Sequence, residues 1–166
     1  MSDQDWLRQE ILSILKENAR IDLKQLAVMV GISQAEVEQI IKELEKEKVI
    51  LRFGTTINWQ KIGKQKVYAL IDVKMTPQRG HGFDALAKRI YRFPEVHSLY
   101  LMSGAYDLSV LLEVDSMEAV GRFVSEKLAP LDEVVSTTTH FVLKKYKENG
   151  VIFDDPENDQ RLVISP

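Results

Sequence analysis

Residues 22–49, DLKQLAVMVGISQAEVEQIIKELEKEKV, predict two short helices joined by a tight turn. Asp22 is a favourable N-cap for the first helix, and Gly31 can adopt the left-handed conformation that ends it. Ser33, followed three residues later by Glu36, forms a capping box that begins the second helix. Apolar residues recur at helical spacing in both helices, first Leu23, Leu26, Ala27 and Val30, then Val37, Ile40, Ile41 and Leu44.

Two helices joined by a glycine-containing turn form a helix-turn-helix, whose second helix lies in the DNA major groove. A plain helical hairpin with no nucleic-acid role is the alternative. Residues 3–18 predict a preceding helix with an apolar face, made of Leu7, Ile11, Ile14 and Leu15. Residues 49–57, VILRFGTTI, contain two β-prone runs around Gly54, which predict a hairpin with Arg52 near its tip. With this hairpin as a wing, residues 1–58 form a winged helix-turn-helix domain.

The outward face of the second helix is where DNA would be read. At 100° per residue, its apolar stripe leaves Gln39 and Lys42 pointing outward. Gln39 can pair with adenine, and Lys42 can reach a guanine or a phosphate. Residues 48–66 hold five basic side chains and no acidic one, which fits phosphate contacts or a solvated linker over residues 59–66. The residues expected at DNA are Ser33, Gln34, Gln39, Lys42, Arg52, Lys61 and Lys64, with Lys66 adding nonspecific affinity.

The same helix is rich in glutamate, which phosphates repel. The acidic residues are Glu36, Glu38, Glu43, Glu45 and Glu47. Glu36 has a structural role in the capping box, and the later glutamates can pair with lysines on the helix surface. We therefore expect weak or salt-sensitive DNA binding per subunit, with multivalency restoring the affinity.

Residues 67–147 predict a second domain with alternating strands and helices. Strands are expected at residues 67–75, 96–102 and 106–114, and within the β-prone run 131–146. The intervening helices carry Phe83, Leu86, Ala87 and Ile90 in the first and, after the N-cap Ser116, Met117, Val120, Val124 and Leu128 in the second. The order β-α-β-β-α-β predicts a ferredoxin-like domain, in which both helices cover one face of a four-stranded antiparallel sheet. The fold class is therefore α+β.

The other face of this sheet has no helical cover. The residues expected on it include Tyr68, Leu70, Asp72, Lys74, Ser109 and Leu111. A partly apolar sheet face is unfavourable in water, so we expect two subunits to press these faces together in a homodimer or a higher oligomer. The alternative is that residues 163–164 or 49–60 of the same chain fold over the face.

Composition limits the remaining possibilities. The chain has 166 residues, a net charge of −3 and no cysteine, so disulfides and thiol chemistry are excluded. No apolar run approaches the ~20 residues that span a bilayer, and the N-terminal MSDQDW is acidic, unlike a secretory signal. We expect a cytoplasmic protein with no cofactor and no membrane partner. In the C-terminal extension, residues 148–166, the runs 151–153 and 162–164 predict a small hairpin around DDPENDQ.

Several segments, in this order, resemble the Lrp/AsnC, or feast/famine, family of transcriptional regulators. The resemblance spans about residues 3–147. It rests on DLKQLAVMVGIS and EVEQIIKELEKEKVI in the first domain, on TTINWQKIG after it, and on FPEVHSLYLMSGAYDLSVLLEVDS and TTTHFVLKKYK in the second. The most recognisable motif is Gly104-x-Tyr106-Asp107 after an apolar strand.

The resemblance implies a RAM domain, which forms a dimeric α-β barrel, and assembly into dimers and higher oligomers such as octamers. It also implies an amino-acid effector bound between dimers. The implied effector residues are Ser103, Gly104, Ala105, Tyr106, Asp107 and Thr138. Gly104 would let backbone amides approach a ligand carboxylate, and Asp107 would accept hydrogen bonds from an α-ammonium group. Alternatively, Gly104 and Asp107 only shape a tight β-turn.

The expected function is sequence-specific binding of double-stranded DNA by a transcriptional regulator, not an enzyme, whose assembly a small effector modulates. One alternative is a ligand-sensing scaffold without specific DNA binding, because the second helix is acidic. Another is an enzyme resembling the siroheme decarboxylases, which share this architecture. The histidines available for such chemistry are His81, His97 and His140, of which the last two lie on predicted strands that could share a pocket. No metal-ligand, paired-carboxylate or nucleophile pattern supports catalysis.

Overall fold

The computed structural model describes residues 3–76 and 82–153, and the chain divides into two compact units, Met1–Thr56 and Ile57–Pro166. The first unit has three helices, α1 (Asp3–Glu17), α2 (Leu23–Val30) and α3 (Gln34–Lys46). Its core contains residues from all three, namely Ile11, Leu15, Leu26, Ala27, Val30 and Val37. This confirms the predicted apolar stripes.

Local capping chemistry defines the ends of α2 and α3. The Asp22 carboxylate accepts hydrogen bonds from the first backbone amides of α2, and Gly31 ends that helix with φ at 75°. The Ser33–Glu36 capping box is formed in both directions at the start of α3. These contacts fix the tight turn of the helix-turn-helix.

The predicted wing hairpin over residues 49–57 does not form. Residues 51–58 have no strand structure, and residues 51–57 are exposed. A two-stranded hairpin is marginally stable by itself, and Leu51 and Phe53 do not join the core of this unit. The β-prone composition of this stretch was therefore a misleading signal.

The second unit has the predicted β-α-β-β-α-β order. After a 3₁₀ turn (Trp59–Ile62) it comprises β1 (Val67–Met75), α4 (Asp84–Ile90), β2 (Val96–Leu101), β3 (Leu108–Val114), α5 (Met117–Arg122) with a π-helical continuation (Phe123–Leu128), and β4 (Val134–Phe141). The strands form one antiparallel sheet in the order β2-β3-β1-β4. The ferredoxin-like prediction is confirmed.

The core of this unit lies between the helices and one sheet face. Alternate β1 residues, Ala69, Ile71, Val73 and Met75, are buried there, as predicted. The predicted stripe of the second helix is partly wrong, because Met117 is exposed and Phe123 is buried. The spacing of five between buried Phe123 and Leu128 matches the π-helical turn, which an ideal 3.6-residue period does not anticipate.

A short hairpin that the sequence did not predict precedes the segment DDPENDQ. Strands β5 (Lys147–Glu148) and β6 (Val151–Ile152) pair across Asn149 and Gly150, which both have positive φ. Asn-Gly is the usual sequence of such a tight turn, so Val151 and Ile152 pair with the preceding residues. The other predicted strand, residues 162–164, lies outside the described residues.

The segment after β4 reaches one end of the sheet face that α4 and α5 leave uncovered. The Lys145 ammonium lies 3.2 Å from the Tyr68 ring centroid, and the Asn58 amide donates to the Phe153 carbonyl at 3.4 Å. Residues of the same chain therefore cover the open sheet face beside Tyr68. No helix in the described residues is long and apolar enough to cross a membrane.

Candidate DNA interface and effector site

The outward face of α3 carries the predicted base-reading residues. Gln39 and Lys42 are both exposed, on the side away from buried Val37 and Leu44. Each is held by a glutamate one turn away on the same helix. The Gln39 amide Nε2 donates to Glu43 Oε1 at 2.8 Å, and Lys42 Nζ lies 2.9 Å from Glu38 Oε1. The acidic residues of α3 therefore contact the candidate DNA-reading side chains directly.

Ser33 and Gln34 lie at the N-terminal end of α3, where amides and the helix dipole favour a phosphate. The Ser33 hydroxyl already donates to Glu36 Oε2 at 2.6 Å. The hydroxyl and backbone N–H of Ser33 together lower the pKa of Glu36. Gln34 is exposed at the first position of the helix. Of these two residues, Gln34 has the freer side chain for a phosphate.

The predicted basic residues divide between the two units. Arg52 is exposed in the first unit, and Lys61 and Lys64 are exposed in the second, where Lys64 Nζ lies 5.5 Å from the Trp59 ring centroid. Lys66 Nζ instead lies 2.6 Å from Asp115 Oδ1. Lys66 thus pairs with a carboxylate, and its contribution to nonspecific DNA affinity stays a prediction.

The loop from Ser103 to Asp107 is fixed to the end of β1 through its last residue. Asp107 N donates to the Val73 carbonyl at 3.0 Å, and the Asp107 carboxylate accepts from Met75 N at 2.9 Å and Lys74 Nζ at 3.2 Å. The backbone N–H of Met75 and the Lys74 ammonium lower the pKa of Asp107 against the opposing effect of burial. Asp107 thus shapes this turn, as the structural alternative predicts.

Gly104 behaves differently from Asp107. Its φ lies outside the left-handed region, and a Cβ built on it would meet no atom within 4 Å. The turn itself therefore does not require glycine at this position. Ser103, Gly104 and Ala105 are all exposed.

Tyr106 connects the loop to β4. Its hydroxyl lies 2.8 Å from Thr138 Oγ1, and Thr138 pairs with Asp72 in the sheet. Asp72 accepts a hydrogen bond from Ser109 at 3.0 Å and lies 3.3 Å from His140 Nε2. The structure thus brings Tyr106 and Thr138 together, as predicted. Sequence reasoning missed Lys74 as the partner of Asp107, although alternation along β1 had placed both Asp72 and Lys74 on the open face.

A cavity of about 280 Å³ lies between α4 and the edge strand β2. Its lining includes Phe83, Ala87, Tyr91 and Leu99. No residue of the loop 103–107 lines it. In a single chain Ser103, Gly104 and Ala105 are the exposed part of the turn, Tyr106, Asp107 and Thr138 are half-buried, and this cavity is a separate feature.

The two described histidines do not share a pocket. His97 lies in β2 and His140 in β4, which are the opposite edge strands of the sheet. Two strands separate them, or roughly 14 Å at the usual strand spacing. The predicted shared pocket is therefore wrong, and His81 lies outside the described residues. Within residues 3–76 and 82–153, no group of three metal-ligating side chains comes together.

Asp107 gives the second unit a pH-dependent contribution to stability. Because its pKa is lowered in the folded state, the stabilisation is present at neutral pH and is lost as the pH falls through that pKa. We expect Asp107→Asn to lower the free energy of unfolding at pH 7, with the difference from wild type closing below about pH 4. Urea titrations of the wild type and the variant between pH 7 and about pH 3 measure this difference, with Asp132→Asn, at an exposed position, as the control. A difference that does not change with pH would contradict the role of the charge.

Family models and known proteins agree on the class of protein. Residues 7–50 match a winged helix-turn-helix DNA-binding model, and residues 68–152 match the Lrp/AsnC ligand binding domain. The two units thus combine DNA binding with ligand binding. They define a DNA-binding transcriptional regulator rather than an enzyme.

Relatives and the family models identify the family, and a solved structure shares the fold. The chain is 58% identical over 158 residues to the uncharacterized HTH-type transcriptional regulator YugG of Bacillus subtilis, covering 95% of each chain. It is 28% identical to a proline dehydrogenase transcriptional activator of Rhizobium radiobacter, covering 90% of this chain and 95% of the relative. The E. coli AsnC structure matches with a TM-score of 0.68 at 21% identity, covering 89% of this chain and 96% of AsnC. The chain belongs to the Lrp/AsnC family of transcriptional regulators.

Proposed function

We propose that this regulator binds a specific DNA sequence through α3 and that a small effector, an amino acid, modulates its assembly. The observation that carries the DNA part is the outward placement of Gln39 and Lys42 on a helix whose start is fixed by a complete capping box. A rigid helix with a polar outward face suits major-groove readout. Gln34 lies near phosphates, and Arg52, Lys61 and Lys64 add sequence-independent affinity.

Selection from a random duplex library tests this proposal. We expect the purified full chain to enrich one motif, because a bidentate contact to one base discriminates by about 1–3 kcal/mol. Enrichment of no motif would favour the second candidate, a ligand-sensing scaffold. The observation that supports this second candidate is that the side chains of Gln39 and Lys42 already contact glutamates of the same helix.

The proposed assembly is a homodimer, or a higher oligomer such as an octamer, formed through the open sheet face. Lys145 covers this face beside Tyr68, whereas Tyr100 is 57% exposed and Leu70 and Leu111 are only half-buried. An aromatic and two leucines on one open face favour burial against a second copy. A dimer doubles the number of DNA-binding units and raises the overall affinity by multivalency.

The proposed effector site is the loop 103–107 with Tyr106 and Thr138. Backbone amides of the exposed residues Ser103, Gly104 and Ala105 would receive a carboxylate. The Asp107 carboxylate would accept hydrogen bonds from the ammonium group, because its contacts with Met75 and Lys74 leave further lone pairs free. A transcriptional regulator from Neisseria meningitidis, solved in complex with L-Met, shares the fold with a TM-score of 0.70 at 22% identity, covering 89% of this chain and 93% of that one.

Gly104→Val tests the effector site. The turn leaves space at the Cβ, so the variant should fold normally, but its side chain would occupy the approach to the amides. We expect one of the twenty amino acids, added at about 100 times its Kd, to stabilise the wild type by about 2.7 kcal/mol in thermal denaturation. The variant should lose this response, whereas Gly121→Ala in α5 should keep it. A response retained by Gly104→Val would place the ligand elsewhere.

A further inference from the structure

Among the acidic residues of α3, Glu43 has a distinctive position. It is half-buried at the margin of the outward face, and it contacts Gln39 through a hydrogen bond of 2.8 Å. Glu45 lies on the other margin of the same helix and is exposed. The two glutamates carry the same charge, but the 2.8 Å contact to the candidate base-reading amide belongs to Glu43.

The chemistry of this contact fixes the orientation of the Gln39 amide. An ionised carboxylate only accepts hydrogen bonds, so Gln39 must turn its Nε2 towards Glu43 and its Oε1 away. The amide nitrogen has two hydrogens, and Glu43 uses one of them. With Glu43 accepting the hydrogen that points away from Oε1, the second hydrogen and Oε1 lie side by side, which is the donor–acceptor pair that adenine N7 and N6 require.

Arg8 of the neighbouring helix α1 pairs with Glu47 at the C-terminal end of α3. Hydrogen bonding to Glu47, together with the nearby charges of Glu47 and Glu43, raises the pKa of Arg8. The ion pair between Arg8 and Glu47 joins α1 to the C-terminal end of α3, the helix that carries both Glu43 and Gln39.

We propose that Glu43 is a positioning residue for base readout, which orients the Gln39 amide so that its free edge selects adenine. This inference rests on the proposed function, because Gln39 must be a base-reading residue. This positioning role would explain why a negative charge that opposes DNA binding lies on the reading helix. Glu43 weakens the attraction of α3 to phosphates. It also restricts the Gln39 amide to one orientation before DNA binds, which is a form of preorganisation.

The test compares Glu43→Gln with the charge-matched control Glu45→Gln. Glutamine at position 43 can donate or accept, so it no longer dictates which way the Gln39 amide faces. Binding is measured by competition anisotropy on a selected duplex and on variants with A·T replaced by G·C at each position. The base pair read by Gln39 is the one at which replacing A·T by G·C lowers the affinity of the wild type but not that of Gln39→Ala.

At that base pair we expect Glu43→Gln to reduce the preference for adenine about threefold, and Gln39→Ala about fivefold or more. Glu45→Gln should keep the wild-type preference, while both glutamine variants bind random DNA more tightly through the lost charge. In the Gln39→Ala background, Glu43→Gln should change the preference no further. A purely structural role of Glu43 would not produce this dependence on Gln39.

Two outcomes would overturn the proposal, and they are distinguishable. If Gln39→Ala abolishes the preference but Glu43→Gln matches Glu45→Gln, Gln39 reads the base without help from Glu43, and the proposed function stands. If Gln39→Ala leaves the preference at every base pair unchanged, Gln39 is not the reader, and that part of the proposed function fails together with the inference.

Discussion

Replacing both Gln39 and Lys42 by alanine should reduce the preference of the protein for its selected site over random DNA by about 30-fold or more. Both side chains are exposed on α3, and bidentate or charged contacts to bases contribute about 1–3 kcal/mol of discrimination each. Because neither residue belongs to a core, the variant should keep the fold and the oligomeric state of the wild type.

The matched control for this variant is Lys24→Ala with Gln25→Ala. These residues are a lysine and a glutamine on α2, and both are exposed. Loss of the Lys24 charge should weaken binding to all sequences alike, because attraction to the phosphate backbone carries no sequence information. Unchanged site preference in the Gln39 and Lys42 variant would contradict the assignment of α3 as the reading helix.

Leu111→Glu should convert the oligomer into monomers and thereby weaken DNA binding about 100-fold. Leu111 is half-buried and lies opposite Leu70 on the open sheet face. A carboxylate there would be buried against a second copy without a partner charge, which is strongly unfavourable. Loss of the second DNA-binding unit removes the multivalent contribution to affinity, typically 10²- to 10⁴-fold.

Light scattering gives the mass of Leu111→Glu, and anisotropy gives its affinity for DNA. The control is Leu143→Glu, since Leu143 is 93% exposed beyond the end of β4. It should leave both quantities unchanged. A Leu111→Glu variant that keeps the wild-type mass would show that another surface joins the subunits.

The parts of the fold that the sequence predicted are those decided by local chemistry. Asp22, Gly31 and the Ser33–Glu36 box determine helix ends through contacts within a few residues, and the structure forms them all. The alternation of apolar residues along β1 also predicted the buried face of that strand correctly, because the helices cover one face of the sheet and leave the other open.

The predictions that failed depended on partners that the local pattern does not contain. The stretch 49–57 has β-prone residues but no neighbouring sheet, so composition alone gave a false wing hairpin. Phe123 replaced Met117 in the core because the helix changes its period, and this change arises from packing. His97 and His140 lie in different edge strands because strand order differs from chain order.

The candidate site shows the same division between local and nonlocal information. The exposure of Gln39 and Lys42 follows from helical periodicity, and the sequence predicted it. The contact of Asp107 with Met75 and Lys74 spans more than 30 residues along the chain, and only the folded sheet reveals it. Its consequence is that Asp107 joins the turn to the end of β1.

The central claim, sequence-specific DNA binding, is tested most directly by fluorescence anisotropy of the full chain on its selected duplex and on random DNA across a salt series. We expect binding to the selected duplex that persists near physiological salt, at least about 100-fold tighter than binding to random DNA. Equal binding to both duplexes, lost by moderate salt, would contradict it and leave the ligand-binding domain as the working part of the protein.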